Sequence, residues 1–383
     1  MDLTHKFTKW LCLSIIIFTG IIFILSEFHT ASQKKFWPDE TVGINGANSP
    51  HSYLKLIAYG PPGEASPSPL YYVLLRLLDG HKTQIHIPEL IYFRLPSIFI
   101  TVFVAWLVCF LFWKEIGQNN AGQYIKSLQY AFLLAIPIRF LFEEEIYYYA
   151  METRVYALWN SLWFLCLFFL LNDKHLKYAI ATLIILAFTA TGISFQITAL
   201  ILAYIIVNAI EGGSVKKIFF NSIKIFAAPL CIILYYGLKV PHFNYLEDLW
   251  GTWPAFFKFW LGHSRKFYIL IFIGILCLLK EKTRKFSLIP LTMIILYLIA
   301  PGIYYVTRAK GCFLTDRQYI YYHLVKILGL IVFIKLIPFY VDLKTNRRTQ
   351  IYSAIFISIG IGCTINKTFL AFMEGLKNAF LPG

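Results

Sequence analysis

Long apolar runs, separated by short charged clusters, repeat along the whole chain. A bilayer core needs roughly 20 apolar residues per helix, with a range of about 17–25. By this length criterion the pattern predicts about eleven membrane helices, and therefore an all-α polytopic membrane protein. They begin near Trp10, Phe93, Ser127, Val155, Tyr178, Ser194, Ser222, Phe267, Ser287, Ile320 and Ile351.

The apolar stretch Tyr178–Ile210 decides the count. It is too long for one membrane helix at about 1.5 Å per residue, and polar residues interrupt it around Gly192. Lys174 precedes the stretch and Lys216 follows it. If both lysines are cytoplasmic, the chain crosses the membrane twice between them. We therefore expect a tight hairpin with its turn near Gly192.

Basic clusters between the apolar runs set the predicted orientation, because cytoplasmic loops are enriched in Lys and Arg. The predicted cytoplasmic clusters are Lys6 and Lys9, Lys114 and Lys126, Lys174 and Lys177, Lys216 and Lys217, Lys280 to Lys285, and Lys344 to Arg348. This puts the N-terminus inside and Gly383 outside. The run from Trp10 to Leu25 is longer than the core of a signal peptide, and no clean small-x-small site follows it. We interpret it as an uncleaved first helix.

The first outer loop, residues 28–92, is far longer than an ordinary connection. Its Pro38-Asp39-Glu40 stretch is typical of a helix start. Further on, Ser68 is predicted as the N-cap and Pro69 as the first residue of a helix. The following segment Leu70–Leu78 is amphipathic and is expected to lie on the membrane surface.

Two more outer loops are predicted, at Pro241–Lys266 and Thr307–Gln318. The first of them holds Trp250, Trp253 and Trp260, which suit the membrane interface. We expect residues 1–383 to form a single transmembrane domain, with the outer loop 28–92 contributing the catalytic groups and no soluble C-terminal domain.

Composition supports the membrane class: 58% of the residues are hydrophobic and only 14% are charged. The net charge of +15 would suit nucleic acid, but the charges sit in short clusters between apolar runs. We therefore expect no nucleic-acid partner and take the bilayer as the chain's environment. The seven cysteines occur singly without a CxxC pair, so neither a disulfide framework nor a zinc site is indicated.

Asp39 and Glu40 are the first candidates for chemistry. One interpretation is a catalytic carboxylate, and the other is favourable acidic chemistry in the first turn of a helix. On a helix, adjacent residues point about 100° apart. At most one of the two acids is therefore expected to face a substrate.

A second acidic group, Glu143-Glu144-Glu145, precedes Glu152 and Arg154 at the outer boundary. Three consecutive acids are typical of a solvated boundary, but their oxygens could also hold a metal ion. Glu152 and Arg154 border an apolar run, where unpaired charges are costly. They are expected to pair with one another or with a substrate.

Several cations are predicted at outer helix ends, where either snorkelling to the interface or phosphate binding would explain them. They are Arg94, Arg139, Arg308, Lys310 and Arg317. The histidines at or near the outer side show no metal-ligand spacing along the chain. These are His51, His81, His86, His242, His263 and His323.

Five motifs in order resemble the protein O-mannosyltransferase family. They are Trp37-Pro38-Asp39-Glu40, Ser68-Pro69-Leu70-Tyr71-Tyr72-Val73-Leu74-Leu75-Arg76, Phe93-Arg94-Leu95-Pro96-Ser97, Glu152-Thr153-Arg154-Val155-Tyr156-Ala157-Leu158 and Asp316-Arg317-Gln318-Tyr319. Val155 stands where the family usually has Pro, and Gln318 splits the late Arg-Tyr pair. The resemblance extends to the bacterial aminoarabinose transferases that act on lipid A, and implies the GT-C glycosyltransferase architecture.

The resemblance implies transfer of a sugar, with inversion, from a polyprenyl-phosphate donor to a lipid, protein or glycan acceptor at the outer face of a bacterial inner membrane. It makes Asp39 the general base, supported by Glu40. Arg94, Arg154 and Arg317 become the candidates for the leaving phosphate. Further candidates for substrate or phosphate contact are Glu152, Arg308, Lys310, Tyr319 and Tyr71. The sequence indicates no particular cofactor, and a divalent metal stays open.

Two other readings compete with the enzyme. A lipid or glycan transporter or flippase would show ionisable residues at mid-membrane depth and broken helices in paired halves. A non-catalytic subunit of a glycan assembly system would show no turnover alone. The sequence shows no paired halves, and most charges sit at helix ends.

Overall fold

The computed structural model describes residues 3–49, 52–61, 68–84, 86–239, 253–309 and 316–341, with four single residues beyond them. Within these ranges the chain is 85% helical and has no strand, so the predicted all-α class is confirmed. The predicted helix near Ile351 lies outside the described residues.

The α-helices are α1 (Leu3–Gln33), α2 (Pro38–Ala47), α3 (Tyr53–Tyr59), α4 (Leu70–Asp79), α5 (Glu89–Tyr92), α6 (Leu95–Gln118), α7 (Gln123–Leu133), α8 (Ala135–Phe142), α9 (Glu144–Ala150), α10 (Tyr156–Leu170), α11 (Leu176–Ala187), α12 (Ile193–Ile210), α13 (Val215–Gly237), α14 (Trp253–Leu279), α15 (Leu288–Ala309) and α16 (Val325–Tyr340). Short 3₁₀ helices cover Lys82–Gln84, Asp173–His175, Glu281–Ser287 and Asp316–Leu324.

Eight helical segments of the described chain are long and apolar enough to cross a bilayer. They are Lys6–Gln33, Leu95–Gln118, Gln123–Phe142, Ile193–Ile210, Val215–Gly237, Trp253–Leu279, Glu281–Tyr305 and Tyr321–Tyr340. Two further apolar helices, α10 and α11, are shorter. At about 1.5 Å per residue they fall short of a hydrocarbon core of about 30 Å. The predicted count of eleven spans is therefore not confirmed.

The core of the bundle is formed by α10 and α16. Apart from Lys326 and Lys335 in α16 and Asn160 and Ser161 in α10, both helices are apolar around their circumference, a pattern that favours burial. α10 packs between α6 and α11, and α16 packs between α7 and α14. Other helices of the bundle, α1, α6, α13 and α14 among them, keep large apolar side chains exposed.

The stretch Tyr178–Ile210 is divided as its polar interruption predicts. α11 ends at Ala187 and α12 begins at Ile193, with Gly192 as its N-cap. A Cβ atom on Gly192 would lie 2.7 Å from Trp159 on α10, so the turn approaches α10 too closely for a side chain. Gly192 therefore allows the turn to pack closely against α10, and it also marks the end of one helix and the start of the next.

The surface helix α4 begins one residue later than predicted. Pro69, and not Ser68, is its N-cap, so Leu70 is the first helical residue. The Leu70 N–H donates to the Phe188 carbonyl at 3.0 Å, so α4 docks on the turn after α11. This tertiary hydrogen bond takes the place of a side-chain cap. Tyr71 and Leu75 of the predicted apolar stripe are buried against the bundle.

The predicted loop Pro241–Lys266 is wrong in its second half. Residues 253–266 belong to α14, and residues 241–252 lie outside the described part of the chain. The indole Nε1 of Trp260 donates to the Tyr297 carbonyl at 2.9 Å. Trp260 thus ties the first half of α14 to α15, which explains how this tryptophan-rich segment continues as a helix.

We expect Gly20→Ala to destabilise the contact between α1 and α6. A Cβ on Gly20 would lie 2.3 Å from the Trp106 indole nitrogen, which donates to the Ile16 carbonyl at 3.1 Å. Displacing the indole costs more than the gain in helix propensity, so we expect a net loss of about 1–2 kcal/mol. Thermal unfolding in detergent measures it.

Gly262→Ala is the matched control, because no atom lies within 4 Å of a Cβ at that position of α14. It should leave the unfolding temperature unchanged or raise it. Equal unfolding temperatures for Gly20→Ala and the unaltered protein would contradict the expected clash.

Candidate functional site

Several helix ends meet at one end of the bundle, where α2 to α5 cover them; we call this the capped end. The Nη1 atom of Arg94, just before α6, donates to the Ala31 carbonyl near the end of α1 at 2.9 Å. The Tyr236 hydroxyl near the end of α13 donates to the Ile57 carbonyl of α3 at 2.6 Å. The first bond joins α1 to the start of α6, and the second fixes the covering helix α3 to α13.

A buried ion pair between Glu40 and Arg94 lies at the centre of the capped end. Arg94 Nε lies 3.2 Å from Glu40 Oε1, and Arg94 Nη2 lies 3.1 Å from Oε2. The backbone N–H groups of Thr153 and Trp37 donate to the same carboxylate at 2.7 and 2.8 Å. Glu40 therefore joins α2 to α6 and to the turn before α10.

Burial raises the pKa of the Glu40 carboxyl, but the hydrogen bonds from Arg94, Thr153 and Trp37 outweigh that effect. The pKa of Glu40 is consequently held below its ordinary value. The carboxylate stays charged at neutral pH, and its four donors come from the protein. Glu40 therefore acts as an anchor for the start of α2.

Arg94 uses its whole guanidinium in these contacts. Its Nη1 also donates to the Lys34 carbonyl at 2.8 Å, and its Nη2 donates to the Lys35 carbonyl at 3.3 Å. An arginine side chain has five N–H groups, and all five have protein acceptors here. The phosphate-binding role of Arg94 stays a prediction, and the geometry favours a positioning role.

Asp39 and Glu40 point in different directions at the start of α2. Asp39 is exposed, whereas Glu40 is fully buried. The Nη1 atom of Arg154 donates to the Asp39 carbonyl at 3.0 Å, so these two predicted site residues lie side by side. The Asp39 carboxylate is thus held on a fixed helix start while remaining accessible.

Glu152 and Tyr71 lie beside the residues just described, and we call Asp39, Glu40, Tyr71, Arg94, Glu152 and Arg154 together the cluster. The Glu152 carboxylate is buried, with one oxygen 3.7 Å from Lys34 Nζ. Its carbonyl accepts a hydrogen bond from Ser97 Oγ at 2.9 Å, and that hydroxyl lies 3.1 Å from the Tyr71 hydroxyl. The structure therefore brings together Tyr71, Arg94, Glu152 and Arg154 around the two acids of α2.

An apolar cavity of about 650 Å³ extends from the capped end along α6. Tyr71 and Pro96 line it near the cluster, and Ile24 and Trp106 line it farther along the bundle. Phe103, another lining residue, is 56% exposed. At about 1.5 Å per residue, Pro96 and Trp106 are about 15 Å apart along α6. The cavity is therefore long, apolar and open at the side of the bundle.

Two ionisable groups near this cluster were missed in the sequence analysis. Lys34 follows the last residue of α1, and Glu27 is fully buried on the same helix. Neither carboxylate oxygen of Glu27 has a hydrogen-bond partner within the described residues. A lone acid in an apolar run is itself a signal of function in a membrane helix, so Glu27 could have been noticed.

The other predicted site residues, which come later in the chain than the first outer loop, have no described contact that joins them to the cluster. Tyr319 is buried in the 3₁₀ helix Asp316–Leu324, where its ring packs against Phe256 and Phe259 of α14. Arg139 is buried in α8. Lys310 and the side chains of Arg308 and Arg317 lie outside the described part of the chain.

The acidic run Glu143–Glu145 is only partly solvated. Glu144 is exposed, but Glu143 is buried, with its Oε1 3.6 Å from Nδ1 of His323. Burial raises the pKa of Glu143, while His323 and the cations Lys266 and Lys326 hold it below its ordinary value. Among the described residues, no group of three His, Cys, Asp or Glu side chains could hold a metal ion.

The span-length helices and the lateral apolar cavity define the chain as an all-α, multi-pass membrane protein. No model of a known protein family matches the chain, and no curated protein matches it either.

Proposed function

We propose that the chain is a membrane glycosyltransferase that moves a sugar from a polyprenyl-phosphate donor to an acceptor hydroxyl with inversion. One observation carries the proposal: an accessible carboxylate, Asp39, is fixed at the capped end, where the long apolar cavity begins. A lipid-linked donor needs this combination, because its apolar tail and its reacting centre require adjoining but chemically different surroundings.

The cavity supports a lipid-linked donor. It has the apolar lining that an isoprenoid tail needs, and its exposed Phe99 and Phe103 lie where a tail could pass in from the bilayer. Burial of apolar surface stabilises such a tail by roughly 25 cal/mol per Å². The tail would lie between α1 and α6, with its phosphate towards Tyr71 and Pro96.

Asp39 supplies the base in this mechanism. Its carboxylate takes the proton of the acceptor hydroxyl as that oxygen forms a bond to the anomeric carbon of the sugar. The bond from that carbon to the phosphate oxygen breaks at the same time, and its electron pair leaves with polyprenyl phosphate. A phosphate is a good leaving group, so a second carboxyl group acting as an acid is not needed. Glu40 and Arg94 hold the start of α2 in place.

The cellular setting follows from the resemblance and from the charge distribution. Basic clusters lie at the opposite ends of the helices from the acids of α2, which favours a cytoplasmic N-terminus and a capped end at the outer face. A bacterial inner membrane suits this arrangement, with a lipid, protein or glycan as the acceptor.

The test is turnover by the purified protein in lipid nanodiscs. The protein receives a panel of polyprenyl-phosphate sugars together with lipid, peptide and polysaccharide acceptors, and release of polyprenyl phosphate is measured. We expect release with at least one donor and acceptor pair. Adding a chelator to the active pair shows whether a divalent metal takes part.

Other outcomes would support the rival functions. Movement of a donor across the bilayer without release of polyprenyl phosphate would favour a transporter or flippase. Donor binding with neither movement nor release, across the whole panel of acceptors, would favour a non-catalytic subunit.

A further inference from the structure

Lys34 occupies the point where α1 leaves the bundle and meets the cluster at the capped end. Its Nζ lies 4.0 Å from the centre of the Tyr148 ring and 5.8 Å from that of Trp37. The nearest described carboxylate oxygen, Oε1 of Glu152, is 3.7 Å away, which is beyond hydrogen-bonding distance. The ammonium is therefore surrounded by aromatic rings and one loosely paired acid.

The Lys34 ammonium has three N–H groups to satisfy. The nitrogen is buried and has no hydrogen-bond acceptor among the described residues. A buried polar group without a partner is uncommon in native proteins, and it calls for an explanation such as a water molecule or a ligand. Since 18% of the side chain stays exposed, Lys34 lies close to the protein surface although its nitrogen is buried.

The neighbouring arginine cannot serve an incoming anion in the same way. All five N–H groups of Arg94 have protein acceptors, whereas those of Lys34 have none in the described chain. Lys34 is also the first residue beyond the candidate span Lys6–Gln33, near the point where a helix of that length leaves a bilayer. The phosphate of a membrane-embedded lipid lies at that depth.

We propose that Lys34 receives the phosphate group of the lipid-linked donor, its ammonium exchanging the loose contact with Glu152 for phosphate oxygens. This inference rests on the glycosyltransferase function proposed above. Lys34 supplies the cation that stabilises negative charge on the phosphate as the bond to the sugar breaks.

The surroundings of Lys34 fit such an exchange. Burial holds the pKa of the Lys34 ammonium below its ordinary value, although the carboxylates of Glu152 and Glu40 offset part of that effect. A phosphate adds another negative charge beside the nitrogen, together with the acceptors that it lacks. Donor binding therefore favours the charged ammonium, and charge-assisted hydrogen bonds are stronger than neutral ones.

The test compares binding of polyprenyl phosphate with binding of polyprenol, which has the same tail without the phosphate. The purified protein is placed in nanodiscs of phosphatidylcholine. The dissociation constant for polyprenol divided by that for polyprenyl phosphate gives the preference for phosphate. We expect Lys34→Met to reduce that ratio about ten-fold or more, because it removes charged hydrogen bonds. Lys34→Arg should keep most of the preference.

Two further variants separate phosphate binding from a structural role. Lys35→Met makes the same change at the adjacent exposed lysine and should leave the ratio unchanged. Glu152→Gln removes the acid that competes for Lys34 and should raise the ratio. A loss with Glu152→Gln equal to that with Lys34→Met would mean that the two residues only hold each other in place.

The remaining outcomes distinguish the two proposals. If the unaltered protein prefers polyprenyl phosphate and Lys34→Met keeps the same preference, the assignment of Lys34 is wrong while the proposed function stands. If the unaltered protein shows no preference for the phosphate, the glycosyltransferase proposal itself fails.

Discussion

We expect the Asp39→Asn variant to transfer sugar about 10²- to 10⁴-fold more slowly than the unaltered protein, the range by which a general base usually contributes. An amide at this position keeps the shape of the side chain but cannot take the proton of the acceptor hydroxyl. Because Asp39 is exposed while Glu40 and Arg94 anchor the helix start, the fold should be retained. The measurement is release of polyprenyl phosphate at saturating donor.

The matched control is Asp79→Asn, at the last residue of α4. Asp79 is the other aspartate of residues 28–92, so the same chemical change is made in the same segment. We expect its rate to stay close to that of the unaltered protein. Full activity of Asp39→Asn would remove Asp39 from the role of base, and an equal loss in both variants would point to general damage.

The helices of the bundle were predictable because hydrophobic length is a strong and local signal. Each predicted helix start before Ile351 lies inside or just before an apolar helix, although Ser222 and Phe267 lie well inside α13 and α14. The break at Gly192 could also be predicted, since polar residues interrupt the stretch there, whereas the two crossings expected from the flanking lysines are not confirmed, because α11 is shorter than a span. The early start of α14 was not predicted, and the Trp260 contact with α15 that accompanies it is a tertiary contact, which the local sequence does not reveal.

At the site, local sequence predicted the start of α2 but not the partner of each charge. Pro38 is the first residue of α2 and both acids lie in its first turn, as helix-start chemistry indicates. That Arg94, 54 residues away, binds Glu40 is a tertiary fact. A list of cations at helix ends could not show that Arg94 is fully occupied inside the protein.

Lys34 illustrates the same limit. Beside Lys35 and beyond the apolar run Trp10–Leu25, it has the pattern of a snorkelling lysine in the sequence. The two adjacent lysines differ only in the direction of their side chains, and this is set by packing against Tyr148 and Glu152. A search of the sequence for paired motifs therefore passed over a buried cation whose nitrogen has no hydrogen-bond acceptor among the described residues.

We expect Glu40→Gln to lower the free energy of unfolding by about 3–5 kcal/mol, the usual cost of removing one partner of a buried ion pair. The amide cannot neutralise the charge of Arg94, which is fully buried. It also replaces one of the two accepting oxygens by an NH2 group, which can only donate. The start of α2 would then lose its anchor to α6. Denaturant unfolding in detergent micelles measures the change.

Glu89→Gln is the control, because it makes the same substitution in an exposed ion pair with Lys82. Surface pairs contribute about 0–1 kcal/mol, so this variant should unfold almost like the unaltered protein. A comparable loss in both variants would show that the Glu40–Arg94 pair has no special role in stability.

The Glu40–Arg94 pair should also make the free energy of unfolding fall as the pH is lowered into the acid range. Since the pKa of Glu40 in the folded protein lies below its ordinary value of 4.5, the carboxylate contributes its full stabilisation above that value. The contribution is lost as the pH falls through the lower pKa of the folded state. The difference in unfolding free energy between the unaltered protein and Glu40→Gln should therefore shrink below pH 4.5. A difference that stays constant from neutral pH into the acid range would mean that the charge of Glu40 does not stabilise the capped end.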